Sequence, residues 1–309
     1  MKPICMLGMD IGGTNIRMGL VDEAYRLYHF ARIPTRSLQQ PDGRLPVERL
    51  ADSIEAYWQT HREAFEIAGI SIGFPSTIDK SRRVILSTPN IPGLDQIPIA
   101  DQLEARFSLP AYINRDVNML FAYDRYRFEI PDRCVALGCY MGTGFGNAIY
   151  VHGEILLGKN GVAGELGHIP MAGVHDRCGC GNEGCIELRA SGHYLQALTA
   201  RAFPDTAIDQ VFLAHGEHPL IREFIDVLSL PIATEATILD PDYIVLGGGL
   251  PQMPGFPLEE LKQAVIRHTR KPYPAENLVF LHAASSQEDG VIGAGIDGFA
   301  AQAKVSRHE

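Results

Sequence analysis

Met9-Asp10-Ile11-Gly12-Gly13-Thr14-Asn15-Ile16 lies between two apolar runs, 4–7 and 17–21. The pattern reads as strand, tight turn, strand, with two glycines where the backbone must reach positive φ or come close to a ligand. An Asp ending a buried strand, followed by bare amides and a hydroxyl, offers a metal-directed carboxylate and several donors for phosphate oxygens. Taken alone, the stretch also fits a plain hairpin with a turn-capping Asp. Two further glycine loops decide between these readings. Gly142-Thr143-Gly144-Phe145-Gly146 follows the apolar run 135–141 and precedes 148–151, and Gly247-Gly248-Gly249 ends the run 243–246. Two phosphate clamps and one adenosine shelf account for all three together.

A chain of 309 residues, 46% of them hydrophobic, is long enough for two lobes with a cleft between them. No apolar run approaches the roughly 18 residues of a membrane span, and no signal-like N-terminus is present, so a soluble, cytoplasmic protein is expected. With 27 basic against 37 acidic residues and a net charge of −10, neither nucleic acid nor an anionic membrane is an expected partner. An anionic ligand must then be held by local amides and a metal.

Strands are expected at 27–33, 69–74, 84–86 and 111–113, and helices at 47–68, 99–107 and 117–127. In 47–68 the residues Val47, Leu50, Ile54, Tyr57, Trp58 and Phe65 recur at helical spacing, which makes Trp58 a core residue. Further on, strands are expected at 135–141, 148–151, 243–246 and 278–281, and a helix at 220–239 that Pro231 should kink or interrupt. The pattern of the first part recurs loosely from Val135, suggesting two related α/β lobes. We place them at 1–117 and 118–290, with a small-residue helix at 291–309 crossing back to complete the first.

Cys178-Gly179-Cys180-Gly181-Asn182-Glu183-Gly184-Cys185 packs three thiols into a glycine-rich loop able to wrap one ion. Three sulfurs need one more ligand for tetrahedral zinc, and His168 is the better candidate, with His175 its competitor in an exposed-looking turn. An odd number of clustered thiols in a reducing compartment argues against a disulfide. Cys5, Cys134 and Cys139 sit in or beside apolar strands and read as small hydrophobes. Asp116 stands at a strand-to-helix junction, Glu165 and His168 lie in Gly164-Glu165-Leu166-Gly167-His168, and Glu187 follows the last clustered cysteine by two. Such carboxylates can converge on a polyol, although Asp116 also reads as a helix cap and Glu187 as a solvated residue.

The segments 10–14, 88–93, 116–118, 142–146, 164–168, 178–187 and 240–249 together resemble the ROK family (repressor, open reading frame, kinase) of sugar kinases, over nearly the whole chain and in family order. The resemblance implies an actin-like (ribonuclease H-like) two-lobed ATPase fold, with ATP and Mg2+ in the cleft and a sugar bound deeper. It implies nucleotide contacts from Asp10, Gly12, Gly13, Thr14, Asn15, Gly142, Thr143, Gly144, Gly247, Gly248 and Gly249, with Asp10 near the magnesium-phosphate group. Asp116 becomes the base that takes a proton from the sugar's primary hydroxyl. Glu165, His168 and Glu187 become contacts to ring hydroxyls, and His168, Cys178, Cys180 and Cys185 hold a structural Zn2+.

Departures from the family pattern bear on the sugar. Arg115 precedes Asp116 where Asn is common, Pro75-Ser76 stands for Pro-Gly, and Leu94 for an aromatic. We read them as changes in accepted hydroxyl stereochemistry, with Arg115 either helping to read the 3-hydroxyl, or pointing to solvent or pairing with a carboxylate. Within the family the likeness leans to the branch acting on D-allose. Kinases for glucose, N-acetylmannosamine or fructose are the alternatives. A sugar-sensing repressor is the rival of another class, and with the nucleotide motif starting at Asp10 no room for a helix-turn-helix domain is expected ahead of it. A homodimer is the expected assembly by resemblance.

Overall fold

In the computed structural model, which describes residues 2–89, 91–284 and 286–305, the chain divides into two compact units. Unit 1 gathers the described residues of 1–127, 157–163 and 286–309, and unit 2 those of 128–156 and 164–285.

Unit 1 opens with β1 (Ile4–Ile11), β2 (Asn15–Asp22) and β3 (Leu27–Pro34), followed by α1 (Val47–His61), β4 (Glu66–Phe74), a small hairpin of β5 (Thr77–Ile78) and β6 (Ile85–Ser87), α2 (Ile99–Phe107), β7 (Ala111–Arg115) and α3 (Asp116–Arg127). Its sheet runs β3-β2-β1-β4-β7, antiparallel from β3 to β1 and parallel from β1 to β7. β1 is buried almost throughout because both faces of its pleat are covered. Cys5, Leu7, Met9 and Ile11 join one core with Leu50 and Ile54 of α1, while Met6 and Gly8 meet the C-terminal helix Asp289–Val305. That helix presents small residues where backbone comes close: a Cβ on Gly293 would fall 1.9 Å from the Met119 carbonyl oxygen of α3. α3 therefore stays with unit 1, and the division falls after Arg127 and not at residue 117. Residues 306–309 of the expected helix 291–309 lie outside the described residues.

Unit 2 repeats the plan with β8 (Val135–Met141), β9 (Phe145–Val151) and β10 (Glu154–Ile155), then α4 (Gly192–Ala202), α5 (Val211–His215), α6 (Pro219–Leu239), β11 (Tyr243–Gly247), α7 (Leu258–His268) and β12 (Phe280–His282). Its sheet order, β10-β9-β8-β11-β12, has the same alternation of antiparallel and parallel neighbours as unit 1.

One sequence expectation is corrected and another narrowed. The helix read over 47–68 ends at His61, because Glu66 and Ile67 pair with Ile4 and Cys5 in the sheet, and that ladder overrides the helical period. α6 runs through buried Pro231 without a break, so of the kink or interruption expected there the interruption is excluded. Trp58 packs on the unit 1 core beside Phe107, with ring centroids 5.7 Å apart.

One buried carboxyl stands out in unit 2. Glu235 of α6 is 5% exposed, and its Oε2 accepts a hydrogen bond from Asn147 Nδ2 of β9 at 2.8 Å, with Cys139 Sγ at 4.0 Å. Loss of water pushes this carboxyl from 4.5 up to about 8, against the opposing pull of the Asn147 bond. The folded chain thus binds a proton that the unfolded chain releases across that window, so stability is retained below it and lost as pH rises through it. Glu235→Gln keeps an acceptor but cannot ionise. Urea unfolding at pH 5, 7 and 8.5 should show the parent losing on the order of 2 kcal/mol relative to this variant as pH rises; parallel curves for the two proteins would contradict the assignment.

Candidate functional site

In unit 1 the hairpin register places Asp10 of β1 opposite Arg17 of β2, and Arg17 Nη1 donates to Asp10 Oδ2 at 3.0 Å. Desolvation raises the Asp10 carboxyl above its ordinary range and the guanidinium works against it. Gly290, at the start of the C-terminal helix, packs on this carboxyl so closely that a Cβ there would lie 2.9 Å from Asp10 Cγ. The turn is locked from the far side. Gly12 N donates to Asn15 O at 2.9 Å, buried Thr35 donates through Oγ1 to Gly12 O at 2.6 Å, and Thr35 N donates to Thr14 O at 2.9 Å. Because the Gly12 amide closes the turn, the donors left to offer a phosphate are those of Gly13 and Thr14.

Asp116 opens α3, and its Oδ1 accepts from the amide of the next residue, Val117, at 2.8 Å. The strand end before it is tightly held. Asn114 Oδ1 accepts from the Arg115 amide at 2.9 Å and from Asn118 Nδ2 at 2.8 Å, while Asn114 Nδ2 donates to Asp297 of the C-terminal helix at 3.0 Å. Asp297 is in turn paired with Arg82, whose Nε donates to Ile113 O at 2.9 Å. Arg115 does not point to solvent: it is buried, and its Nη1 donates to Ala163 O at 2.8 Å.

In unit 2 the turn between β8 and β9 is anchored by α4, whose first amides, of Gly192 and His193, donate to the carbonyls of Gly142 and Thr143 at 2.8 and 3.0 Å. Glu187 braces it from another side, its Oε2 accepting from the Phe145 amide at 2.9 Å. A Cβ on Gly144 would lie 2.5 Å from that oxygen, so a larger residue there would displace the Glu187 carboxylate. Glu187 is therefore bound to the glycine turn and is no solvated surface residue. Gly247 ends β11 opposite Tyr140 of β8, and the Leu250 amide donates to Met141 O at 2.8 Å, so the Gly247-Gly248-Gly249 loop is tied to the strand that leads into the Gly142 turn. The Cβ positions of Gly142 and Gly249 face open space, as a nucleotide cradle requires.

His168 Nδ1 and the sulfurs of Cys178, Cys180 and Cys185 all lie within 4.8 Å of one another. Nδ1 to Cys178 Sγ and Cys180 Sγ to Cys185 Sγ are each 3.6 Å. Tetrahedral zinc, with sulfurs at about 2.3 Å and nitrogen at about 2.0 Å, spaces its ligands roughly 3.6–3.8 Å apart, so this set fits the ion. His175 instead meets Glu183 at 3.1 Å on an exposed turn and is not in the group. The other ring nitrogen of His168 lies 3.6 Å from Glu165 Oε2. Backbone bonds from Ile186 to Ile169 and from Met171 to Gly184 zip the His168 and Glu187 turns together.

Sequence reasoning passed over Arg17, Thr35, Asn114 and Asp297. Arg17 was within reach, since a turn closed between Gly12 and Asn15 sets it across from Asp10; nothing local marks Asp297.

Among the described residues no helix is long and apolar enough to cross a membrane. A model of the ROK family matches residues 6–296. The chain is 28% identical to a glucokinase of Halalkalibacterium halodurans, over 94% of this chain and 93% of that protein. It is 30% identical to an N-acetyl-D-glucosamine kinase of Vibrio vulnificus, over 79% and 83%. Its actin-like ATPase fold matches the crystal structure of a ROK family glucokinase from Streptomyces griseus in complex with glucose and AMPPNP, with a TM-score of 0.75 and 27% identity over 94% and 98% of the two chains. A match that runs from the first glycine turn into the C-terminal helix leaves one conclusion: the chain belongs to the ROK family.

Proposed function

We propose that this sugar kinase transfers the γ-phosphoryl group of ATP to the 6-hydroxyl of an aldohexose, and that D-allose is its preferred sugar. The observation that carries the reading is Asp116, a carboxylate at a strand-to-helix junction whose preceding strand end is fixed by the bonds of Asn114 to Asp297, Asn118 and the Arg115 amide. A general base needs that fixity to meet one hydroxyl. Asp116 takes the proton of the 6-hydroxyl as that oxygen attacks the γ-phosphorus in line; the bond to the β-phosphate oxygen breaks and ADP leaves.

The amides of Gly13, Thr14, Thr143 and Gly144 hold the phosphates, Gly12, Asn15 and Gly142 shape the two turns, and Gly247, Gly248 and Gly249 carry the adenosine. Magnesium, held through Asp10, supplies positive charge for the phosphoryl oxygens when bound. Glu165, His168 and Glu187 hold ring hydroxyls. Cys178, Cys180, Cys185 and His168 Nδ1 would hold zinc, which would fix the imidazole and leave Nε2 for a ring hydroxyl. The lean to D-allose rests on the overall likeness of the sequence to that branch of the family. Glucose and N-acetylglucosamine, on which the relatives named above act, are the competing substrates. The working form on this reading is a cytoplasmic homodimer.

An ADP-coupled assay across aldohexoses and amino sugars tests this directly. D-allose should give the highest kcat/KM, and Asp116→Asn should cut kcat roughly 100-fold or more with a small change in KM. Near-normal turnover of that variant would remove Asp116 as the base, and a better rate with glucose would replace allose. Metal analysis should find zinc in the purified chain. Cys178→Ser should lose it and raise the sugar KM about tenfold while the ATP KM moves less; a zinc-free variant with unchanged sugar affinity would separate the metal from the pocket.

A further inference from the structure

Residues 157–163 follow β10 in the chain yet pack with unit 1. They form a closed strap: the Ala163 amide donates to Leu157 O at 3.1 Å. Gly161 seats the strap on residues 78–80. Its φ is +83°, and a Cβ there would lie 2.3 Å from the Ile78 carbonyl oxygen, so the strap touches the β5 loop backbone to backbone. Its outer end is held by Arg115 Nη1, which donates to the Ala163 carbonyl at 2.8 Å from a side chain that is itself buried. A guanidinium suits this place because it stays charged when desolvated and donates in a fixed plane.

The two ends of that hydrogen bond matter for what they adjoin. Arg115 is joined by one peptide bond to Asp116, and Ala163 by one peptide bond to Gly164, where the Gly164-Glu165-Leu166-Gly167-His168 segment begins. The Arg115 end is not adjustable, because its amide is fixed by Asn114, and Asn114 by Asp297 and Asn118. We infer that Arg115 is a positioning residue: through the Ala163 carbonyl it sets where the hydroxyl-reading segment starts relative to the base, and it acts on the sugar by that spacing and not by reading the 3-hydroxyl itself. The inference rests on the kinase reading above for its functional half, and on unit 1 alone for its structural half.

Those halves give two readouts that fail separately. Lys159, exposed on the strap, is a tryptic site, so cleavage after it reports whether the strap is held. Arg115→Gln, which is too short to reach, is the working variant, and Arg115→Lys, which keeps a charged donor on a long stem, is its rescue; circular dichroism checks that both fold. In Arg115→Gln, cleavage after Lys159 should speed up about tenfold and the sugar KM should rise about tenfold. The ATP KM and the ratio of kcat/KM for D-allose over D-glucose should both stay within about twofold of the parent. Arg115→Lys should recover part of both losses. Unchanged cleavage in Arg115→Gln overturns the clamp, and a collapsed allose-to-glucose ratio overturns positioning in favour of direct reading. If the parent phosphorylates no aldohexose, the kinase reading falls by itself while the cleavage rate still decides whether the clamp exists.

Discussion

The approach of Gly293 to the Met119 carbonyl is the constraint on which unit 1 depends. With no side chain at that crossing, the C-terminal helix lies against α3 and the sheet at backbone distance, and a single added carbon would drive them apart. Seated there, the helix reaches the carboxylate of Asp10 and the residue that precedes Arg115 and Asp116. Gly290 at its start closes on Asp10, and Asp297 two turns later holds Asn114 beside Asp116. One rigid element thus governs the carboxylate assigned to the metal-phosphate group and the one assigned to the proton.

Unit 2 solves a matching problem with a different device. Its glycine turn is braced by the carboxylate of Glu187 and by the first amides of α4, and Glu187 stands two residues from Cys185 of the metal set. The cysteine loop and Glu187 are therefore parts of one short stretch of backbone, and the carboxylate of Glu187 joins that stretch to the glycine turn. A small loop whose three thiols and His168 Nδ1 stand this close together could be held by an ion as well as by packing.

Much of this was legible in the sequence because the informative features are local. Glycine turns after apolar runs, three cysteines in one loop and an Asp after a short strand each announce themselves within a few residues. His168 was separable from His175 only by the guess that an Asp-Arg neighbourhood is exposed. What stayed hidden was long-range. Asn114 and Asp297 are 183 residues apart in sequence, and an Asp inside a helix of small residues gives no sign of its partner. Helical spacing past His61 misled because strand pairing with β1 won over periodicity. For Arg115 the residue was recognised as unusual, but its contact, a main-chain carbonyl on a distant turn, lies beyond any pattern in its own neighbourhood.

Unit 1 is assembled from three separated stretches, the last of them the helix at Asp289–Val305. During synthesis, β1, β2 and β4 leave the ribosome long before that helix, so the sheet face bearing Met6 and Gly8 lacks this cover until residues 289–305 have been made. Unit 2, apart from the strap at 157–163, is contiguous and free to form in the interval. The nascent chain must therefore carry that apolar face without its helix while unit 2 is being made.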